Sequence, residues 1–388
     1  MSRSTRRIVL WISTPVVAFA IIGGVLSKAA AREDTYPQLR IFADVVDKIT
    51  GDYVDKVNVD KVMTGAMHGL ADSLDPDSAY LSADQVKQIE SNAPLPTGDV
   101  GLDLTRQYYL RVIATRDGSP ADKAGLRTGD YVRIIGDMPT REMSVYEGMR
   151  RLRGAPGTKV SLTVIRGSTA DPHVIELTRE LIPTTDVTGK FAAPGVGYLR
   201  VSAVGPKTAE QAKAKVAELV KSGASKLIVD VRRASGGSLD GGIALAKLFV
   251  PSGTLTIKET RGADKQTIAA ASGDGSVTLP TTVLIDTGTS GGAELFASAL
   301  VGNKRADLIG EHTIGRAAQQ KLVRLPDGSG LWLTTTRFLT PSGGALHEKG
   351  LEPTVAVDEP DVEFGQPAPT TDPILDKALE RLGQKKAA

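Results

Sequence analysis

The chain has 388 residues, of which 41% are hydrophobic and 24% charged, the composition of an ordinary globular protein. Its 47 basic and 45 acidic residues nearly balance and only 4% of its residues are aromatic, which argues against nucleic acid as a partner. The sequence has no cysteine, which excludes disulfides and thiolate sites, and its four histidines lack the spacing of metal ligands, so we expect neither a metal nor a cofactor.

The N-terminus has the pattern of an export signal. Three arginines precede a mostly apolar run over residues 8–26, and the small residues Ala29 and Ala31 follow. Residues 1–31 are therefore predicted to be a signal peptide. Because the apolar run is long enough to cross a bilayer, an uncleaved anchor in the inner membrane is the alternative. Both alternatives place the rest of the chain in the periplasm or cell envelope.

Residues 32–96 are predicted to form a helical N-terminal region. Ile41, Val45 and Ile49 recur at helical spacing, and so do Val62 and Ala66 further on. The stretch "SNAPLPTGD", which is rich in proline, asparagine and glycine, then marks a domain boundary.

The next segment, residues 97–184, changes to short alternating strands and turns. It contains the glycine-bearing loop "DVGL", the stretch "SPADKAGLRTGD" before a strand, and a helix that begins at a predicted capping box of Ser144 and Glu147. These motifs closely resemble a PDZ domain.

In a PDZ domain, the C-terminal segment of a partner protein adds as a strand between the strand after this loop and the helix. The resemblance implies that backbone N–H groups of the loop hold the partner's carboxylate, and it places those donors at Val100, Gly101 and Leu102. The side chains predicted to line the groove are Leu104, Val145, Met149 and Leu152. The alternative, that these apolar residues are the core of a small β-rich domain, stays open.

The third segment, residues 185–357, has an α/β pattern. The stretches "GVGYLRVSAV" and "KLIVDVR" are predicted strands, and the helix between them begins at a predicted capping box of Thr208 and Gln211. A β-helix-β unit implies a right-handed crossover and a mostly parallel sheet. Gly236 and Gly237 are predicted to begin a further helix and to direct backbone N–H groups towards an anion or oxyanion. Residues 358–388 are predicted to form a linker and a C-terminal helix.

The stretch "VLIDTGTSGGAELFASAL" has the pattern of a buried strand, a tight turn and an apolar helix that begins near Glu294. This is the context in which many enzymes present a nucleophile.

Taken in order, these motifs resemble the carboxyl-terminal processing peptidases, also called tail-specific proteases. The resemblance extends from Leu39 to Leu382 and includes "LADSLDPDSAYLS", "LIVDVRRASGG" and "GLWLTTTRFLTPSGGALHEKGLEPTVAV". It implies an α/β multidomain protein with a helical N-terminal cap, a PDZ domain, and an α/β peptidase-like core with a mostly parallel sheet.

The resemblance also implies a serine nucleophile, a lysine base, an assisting glutamine and an oxyanion hole of backbone N–H groups. In this sequence the nucleophile position falls on Gly291 and the base position on Arg316, 25 residues later. Gln320 and the glycine pair Gly236 and Gly237 are retained. Glycine has no side chain to attack a carbonyl, and arginine keeps its proton at any ordinary pH. Both halves of the dyad are therefore predicted to be lost.

Two uses of Arg316 stay open at this point: a fixed cation that binds a carboxylate, or a solvated surface arginine. A shifted site is also conceivable, in which Ser290 is the nucleophile and His312 the base. Against it, a shift of one residue turns a side chain towards a different side of the turn.

Two functions from different classes follow from the sequence. In the first, the chain is a non-catalytic envelope protein that binds protein C-termini through its PDZ domain and acts as an adaptor or regulator of an active peptidase relative. In the second, it is an active serine endopeptidase that cuts near protein C-termini and uses Ser290. The sequence favours the first.

Overall fold

The computed structural model describes residues 35–167, 171–182, 186–360, 362–366 and 369–384. The predicted leader, residues 1–31, lies outside these ranges. The boundary between the two compact units of the chain falls between Met67 and His68. Within the described ranges, no helix is both long enough and apolar enough to cross a membrane.

The N-terminal region contains the predicted helices and one short strand. Its elements are α1 (Thr35–Asp52), α2 (Val59–Asp72), β1 (Ala79–Leu81) and α3 (Ala83–Glu90). The helical periodicity of α1 does not mark a buried face, because Ile41 and Val45 are 56% and 50% exposed. Helix α3 begins at a complete capping box, in which Ser82 and Gln85 each bond the other's backbone N–H.

The middle segment is a small antiparallel β-domain with two helices. Its elements are β2 (Gly98–Asp99), β3 (Leu102–Gln107), β4 (Tyr109–Thr115), α4 (Pro120–Lys123), β5 (Tyr131–Ile135), β6 (Met138–Pro139), α5 (Val145–Leu152), β7 (Lys159–Ile165), β8 (His173–Thr178) and β9 (Glu180–Leu181). The main sheet has the order β3-β4-β5-β7-β8, which leaves β3 at its edge, and β2 pairs with β9.

Only half of the capping box predicted for α5 forms. The hydroxyl of Ser144 accepts a hydrogen bond from the backbone N–H of Glu147. The carboxylate of Glu147, however, accepts from Arg151 one turn later instead of reaching back to Ser144. An i,i+4 ion pair has therefore replaced the second bond of the box.

The third segment is the α/β core. Its elements are β10 (Val187–Ala193), β11 (Val196–Val201), β12 (Ala203–Val204), α6 (Thr208–Lys221), β13 (Lys226–Asp230), β14 (Gly236–Gly237), α7 (Leu239–Lys247), β15 (Thr254–Thr260), β16 (Gln266–Ala269), β17 (Thr281–Ile285), α8 (Gly292–Gly302), β18 (Ala306–Gly310), β19 (Ala318–Arg324), β20 (Gly330–Leu339) and β21 (Val355–Ala356), with α9 (Pro373–Gln384) after them.

The central sheet has the order β10-β11-β13-β17-β18-β21. Its strands from β11 to β21 are parallel and β10 is antiparallel at the edge, which confirms the predicted mostly parallel sheet. Both faces are buried, since Leu227 and Val229 of β13 lie in one apolar cluster and Ile228 between them lies in another. A parallel strand covered on both faces reads as a continuous apolar run, as "LIV" does here.

A second sheet combines β1 with four strands of the core. Its order is β1-β20-β15-β16, with β19 paired to β20. The strand β1, which the helical reading of residues 32–96 did not include, pairs antiparallel with β20, so that Ala79 lies opposite Trp332.

Two predicted helix starts are wrong in detail. Helix α6 has Lys207 at its N-cap and no side-chain cap, because the hydroxyl of Thr208 instead accepts from Gly205 N–H and donates to the Ala203 carbonyl. The pair Gly236–Gly237 does not begin a helix but forms β14, which pairs with β12. The following helix is capped by the hydroxyl of Ser238.

A buried carboxylate, that of Asp230, lies at the C-terminal end of β13. Asp230 is 2% exposed and accepts hydrogen bonds from the backbone and guanidinium of Arg232 and from the hydroxyl of Tyr198. Burial would raise the pKa of Asp230, but the charges of Arg200 and Arg232 outweigh it and lower that pKa to about 2. The carboxylate is therefore ionised at any physiological pH.

The two arginines extend this network to distant parts of the chain. Arg200 makes a bidentate ion pair with Asp117 of the β-domain, at 2.8 and 3.0 Å. Arg232 makes another with Asp372, just before α9, at 2.9 and 2.8 Å. The Asp230 network, defined by Tyr198, Arg200, Asp230 and Arg232, thus ties the β-domain and the C-terminal helix to the end of one central strand.

The start of α8 lies against α7 at a contact between glycines. A Cβ atom added to Gly242 would overlap the backbone carbonyl of Gly292, and one added to Gly292 would collide with the carbonyl of Ser238. The two helix starts therefore approach closely only because neither position carries a side chain.

We expect Gly242→Ala to destabilise the protein by at least about 2 kcal/mol, since the added methyl group meets backbone that cannot move without displacing α8. The matched control is Gly69→Ala in α2, where an added Cβ has no atom within 4 Å. That variant should be neutral or more stable by about 0.5–1 kcal/mol. Chemical denaturation of both variants checks this, and equal effects would contradict the contact.

Candidate active site and peptide groove

The turn between β17 and α8 has a backbone conformation that favours glycine at position 291. Gly291 has φ +59° and ψ −118°, in the positive-φ region that favours glycine. A Cβ atom added there would approach only the Arg316 carbonyl, at 3.9 Å, and Leu239 Cδ2, at 4.0 Å. The position therefore has space for a Cβ atom, but its positive φ would strain any residue other than glycine.

Glu294, one turn into α8, fixes the loop that carries residue 316. It is fully buried and accepts hydrogen bonds from Thr313 Oγ1 at 2.5 Å, Gly315 N at 2.6 Å and Arg316 N at 2.8 Å. Burial raises the pKa of Glu294 to about 7, although these hydrogen bonds oppose the shift. One buried carboxyl group thereby holds positions 291 and 316 side by side.

The side chain of Arg316 is partly buried and ion-paired. Its Nε lies 3.1 Å from Asp77 Oδ2, and its Nη2 donates to Asp77 Oδ1. Its Nη1 donates to the backbone carbonyl of Leu104 on β3, at 3.2 Å. Burial opposes the charge of Arg316, but the Asp77 carboxylate raises its pKa. The residue at the base position is thus a permanently charged member of an ion pair.

The glycine turn borders the same region. Gly237 has φ +110°, and any side chain there would collide with the Val204 carbonyl. Ser235, just before the turn, donates a hydrogen bond to Asp103 of β3. The edge strand of the β-domain therefore contacts both the glycine turn, through Asp103, and the base position, through Leu104.

Gln320 lies on β19. Its Nε2 donates to Thr334 Oγ1 across the β19–β20 pair, at 3.1 Å. Its hydrogen bond is thus to the neighbouring strand, not to Arg316.

The structure does not bring Ser290 and His312 together as a hydrogen-bonded pair. Ser290 is 2% exposed, and its backbone N–H donates to the Ala234 carbonyl. The His312 ring lies on the surface, where its Nε2 is 3.6 Å from Glu352 Oε1. Ser290 is therefore placed as a buried turn residue.

The groove predicted for the β-domain would lie between β3, at the edge of the sheet, and helix α5. Of the residues predicted to line it, Leu104 and Leu152 are at most 1% exposed, and Met149 is only partly buried. The apolar cluster of the β-domain contains five residues that the sequence analysis named, and Met149 packs against it. The five are Val100, Leu102, Leu104, Val145 and Leu152. Most of these side chains serve the domain core, and Met149 has the accessibility of a groove residue.

The loop before β3 is already occupied by a carboxylate of the chain itself. Asp99 Oδ1 accepts from Val100 N at 2.7 Å and from Gly101 N at 3.0 Å. Its Oδ2 lies 3.2 Å from Arg153 Nη2. Gly101 has φ +75°, and an added Cβ would collide with the side chain of Ser119, so this position must be glycine.

Sequence reasoning missed Asp77 and Asp99. Asp77 lies 239 residues before its partner Arg316, and nothing in the local pattern "DPDS" pairs it with a particular cation. Asp99 had a local signal, because an aspartate often accepts hydrogen bonds from the N–H groups that follow it in a turn. No cluster of metal-ligating side chains occurs among the residues that the structure describes.

Two family profiles match the chain. That of Peptidase family S41 matches residues 195–357, and that of a PDZ domain matches residues 111–166. The first contains the glycine turn and both dyad positions, and the second contains helix α5.

Relatives and a solved structure agree with these matches. The chain is 30% identical over 332 residues to a carboxyl-terminal-processing protease of Synechocystis sp., which covers 84% of this chain and 78% of that protein. It is 29% identical over 317 residues to the carboxy-terminal processing protease CtpA of Bacillus subtilis, which covers 81% and 68%. The structure of a photosystem II D1 C-terminal processing protease matches with a TM-score of 0.68 at 25% identity, over 82% of this chain and 92% of that one. The chain therefore belongs to the carboxyl-terminal processing proteases of Peptidase family S41, and it contains a PDZ domain.

Proposed function

We propose that this protein is an exported member of the family that binds the C-terminal segments of proteins through its PDZ domain and has lost, or strongly reduced, serine peptidase activity. Its role is that of an adaptor or regulator, with an active relative as partner. The single observation that carries the proposal is the pair of residues at the dyad positions. Gly291 offers no nucleophile, and Arg316 is held as a cation by Asp77.

The chemistry of acyl transfer explains why this pair matters. Attack on a peptide carbonyl needs an oxygen nucleophile and a neutral base that takes its proton. A guanidinium beside a carboxylate cannot lose its proton, so Arg316 cannot replace a lysine. The glycine turn alone could at most stabilise an oxyanion that no group here generates.

Binding is the capability that remains. The PDZ domain keeps an edge strand, β3, and a helix beside it, which is the arrangement that accepts an added peptide strand. In the cleft, by contrast, the cation of Arg316 is already neutralised by Asp77, which leaves it unsuited to a ligand's carboxylate. These observations favour the PDZ groove over the cleft as the peptide site.

We expect the full chain to leave an unfolded reporter protein intact over a long incubation at high concentration, because no described group can start acyl transfer by the family's mechanism. Electrophoresis of the reporter and labelling with a fluorophosphonate probe measure this. The control is Ser290→Ala. Cleavage or labelling that this variant abolishes would establish the alternative function, an active endopeptidase that uses Ser290.

We expect Gly291→Ser combined with Arg316→Lys to restore measurable cleavage, whereas each change alone restores none, because nucleophile and base act as a unit. Asp77 should then hold the pKa of the new lysine high, so that activity rises only at alkaline pH. Adding Asp77→Asn should move the rising limb of the pH–rate profile to lower pH. An inert, folded triple variant would show that the surrounding turn has also changed.

We expect Asp77→Asn with Arg316→Met to tighten binding of a C-terminal peptide several-fold, because this pair frees the Leu104 carbonyl for an added strand. The matched control is Glu259→Gln with Arg337→Met, which removes an ion pair between β15 and β20 of the second sheet. Met149→Trp, which fills the groove, should abolish binding. Titration by fluorescence anisotropy measures all three, and unchanged affinity in the first variant would exclude competition by Arg316.

A further inference from the structure

The PDZ resemblance assigns binding of a ligand's terminal carboxylate to the loop before β3, and the side chain of Asp99 already occupies this loop. Its Oδ1 takes the N–H groups of Val100 and Gly101, two of the three donors that the PDZ resemblance assigns to the ligand. The Asp99 side chain is only 13% exposed, so water competes little for these hydrogen bonds. Two of the three N–H donors are therefore already bonded before any ligand arrives.

A second carboxylate at this place would be strongly disfavoured. It would meet the like charge of Asp99 and would find no free donor on Val100 or Gly101. Arg153 is not available to it either, because it is already paired with Asp99 at 3.2 Å. To accept a chain terminus in the usual way, the loop would first have to expel its own side chain.

The rest of the groove does not depend on a chain end. Strand addition at the edge of β3 uses main-chain hydrogen bonds, and Met149 offers a side-chain contact from α5. Any extended segment, whether it stops at the loop or continues past it, can make these contacts.

We infer that Asp99 makes the PDZ site indifferent to the terminal carboxylate, so that its ligand class is extended apolar segments with a free, blocked or continuing C-terminal end. This rests on the proposed function, in which the PDZ groove is the peptide site. Segments near a C-terminus bind as added strands, but the terminus itself is not read.

The test compares one short, dye-labelled apolar peptide as free acid, as C-terminal amide and with added C-terminal glycines, each titrated against the full chain. The parent should bind the acid and the amide within about threefold of each other. Asp99→Ala frees two N–H donors, and charge-assisted hydrogen bonds to them should make the acid bind about tenfold or more tightly than the amide. The matched control is Asp137→Ala, an exposed aspartate of the same domain, which should leave the ratio unchanged.

The outcomes separate this inference from the function on which it rests. A parent protein that prefers the free acid about tenfold or more would overturn the inference while supporting the PDZ groove as a site for C-termini. Absence of binding by every peptide, to the parent and to Asp99→Ala alike, would contradict the proposed function itself. The ratio in the parent needs no substitution, so it decides the matter even if Asp99→Ala does not fold.

Discussion

The structure depends on the buried charge of Asp230 at the end of β13. A single carboxylate there is paired with Arg232 and lies near Arg200, and these two arginines reach Asp117 in the PDZ domain and Asp372 before the C-terminal helix. Such a cluster adds little net stability compared with apolar residues, but removal of one member leaves an unpaired buried charge that costs about 3–5 kcal/mol. Three parts of the chain are consequently held in one register around the end of a central strand.

Charge pairing also occupies the position that the resemblance assigns to the base. The resemblance puts a base at position 316, and the chain has there an arginine whose charge is balanced by Asp77. Glu294 bonds this loop to α8, so the backbones of positions 291 and 316 are held close although neither carries the serine or the lysine that the resemblance implies. Hydrogen bonds between the backbone and buried carboxyl groups maintain the fold of this region whether or not its side chains can catalyse a reaction. The fold therefore does not by itself establish the chemistry.

Similar contacts link strand β3 of the PDZ domain to the glycine turn and to the loop that carries Arg316. Strand β3 bonds Ser235 through Asp103 and Arg316 through the Leu104 carbonyl, while Asp99 satisfies the loop before it. Three groups that a ligand would use, the N–H groups of Val100 and Gly101 and the carbonyl of Leu104, have a partner within the chain. Peptide binding in this protein is therefore an exchange of internal hydrogen bonds for external ones, and its net free energy is the small difference between them.

The sequence by itself determined the mostly parallel sheet, the presence of a PDZ domain and the family, because apolar periodicity and ordered motifs are local signals carried by long segments. It also identified Gly291 and Arg316 as chemically unable to form a dyad, since that follows from side-chain type alone. Only the tertiary structure decided what these residues do instead. Asp77 is brought to Arg316 across 239 residues, and the predicted capping box at Thr208 gave way to bonds with the Ala203 turn. Such pairings form because polar groups that folding removes from water need a hydrogen-bond partner. Which groups are buried together depends on the tertiary structure, and no local sequence pattern indicates it.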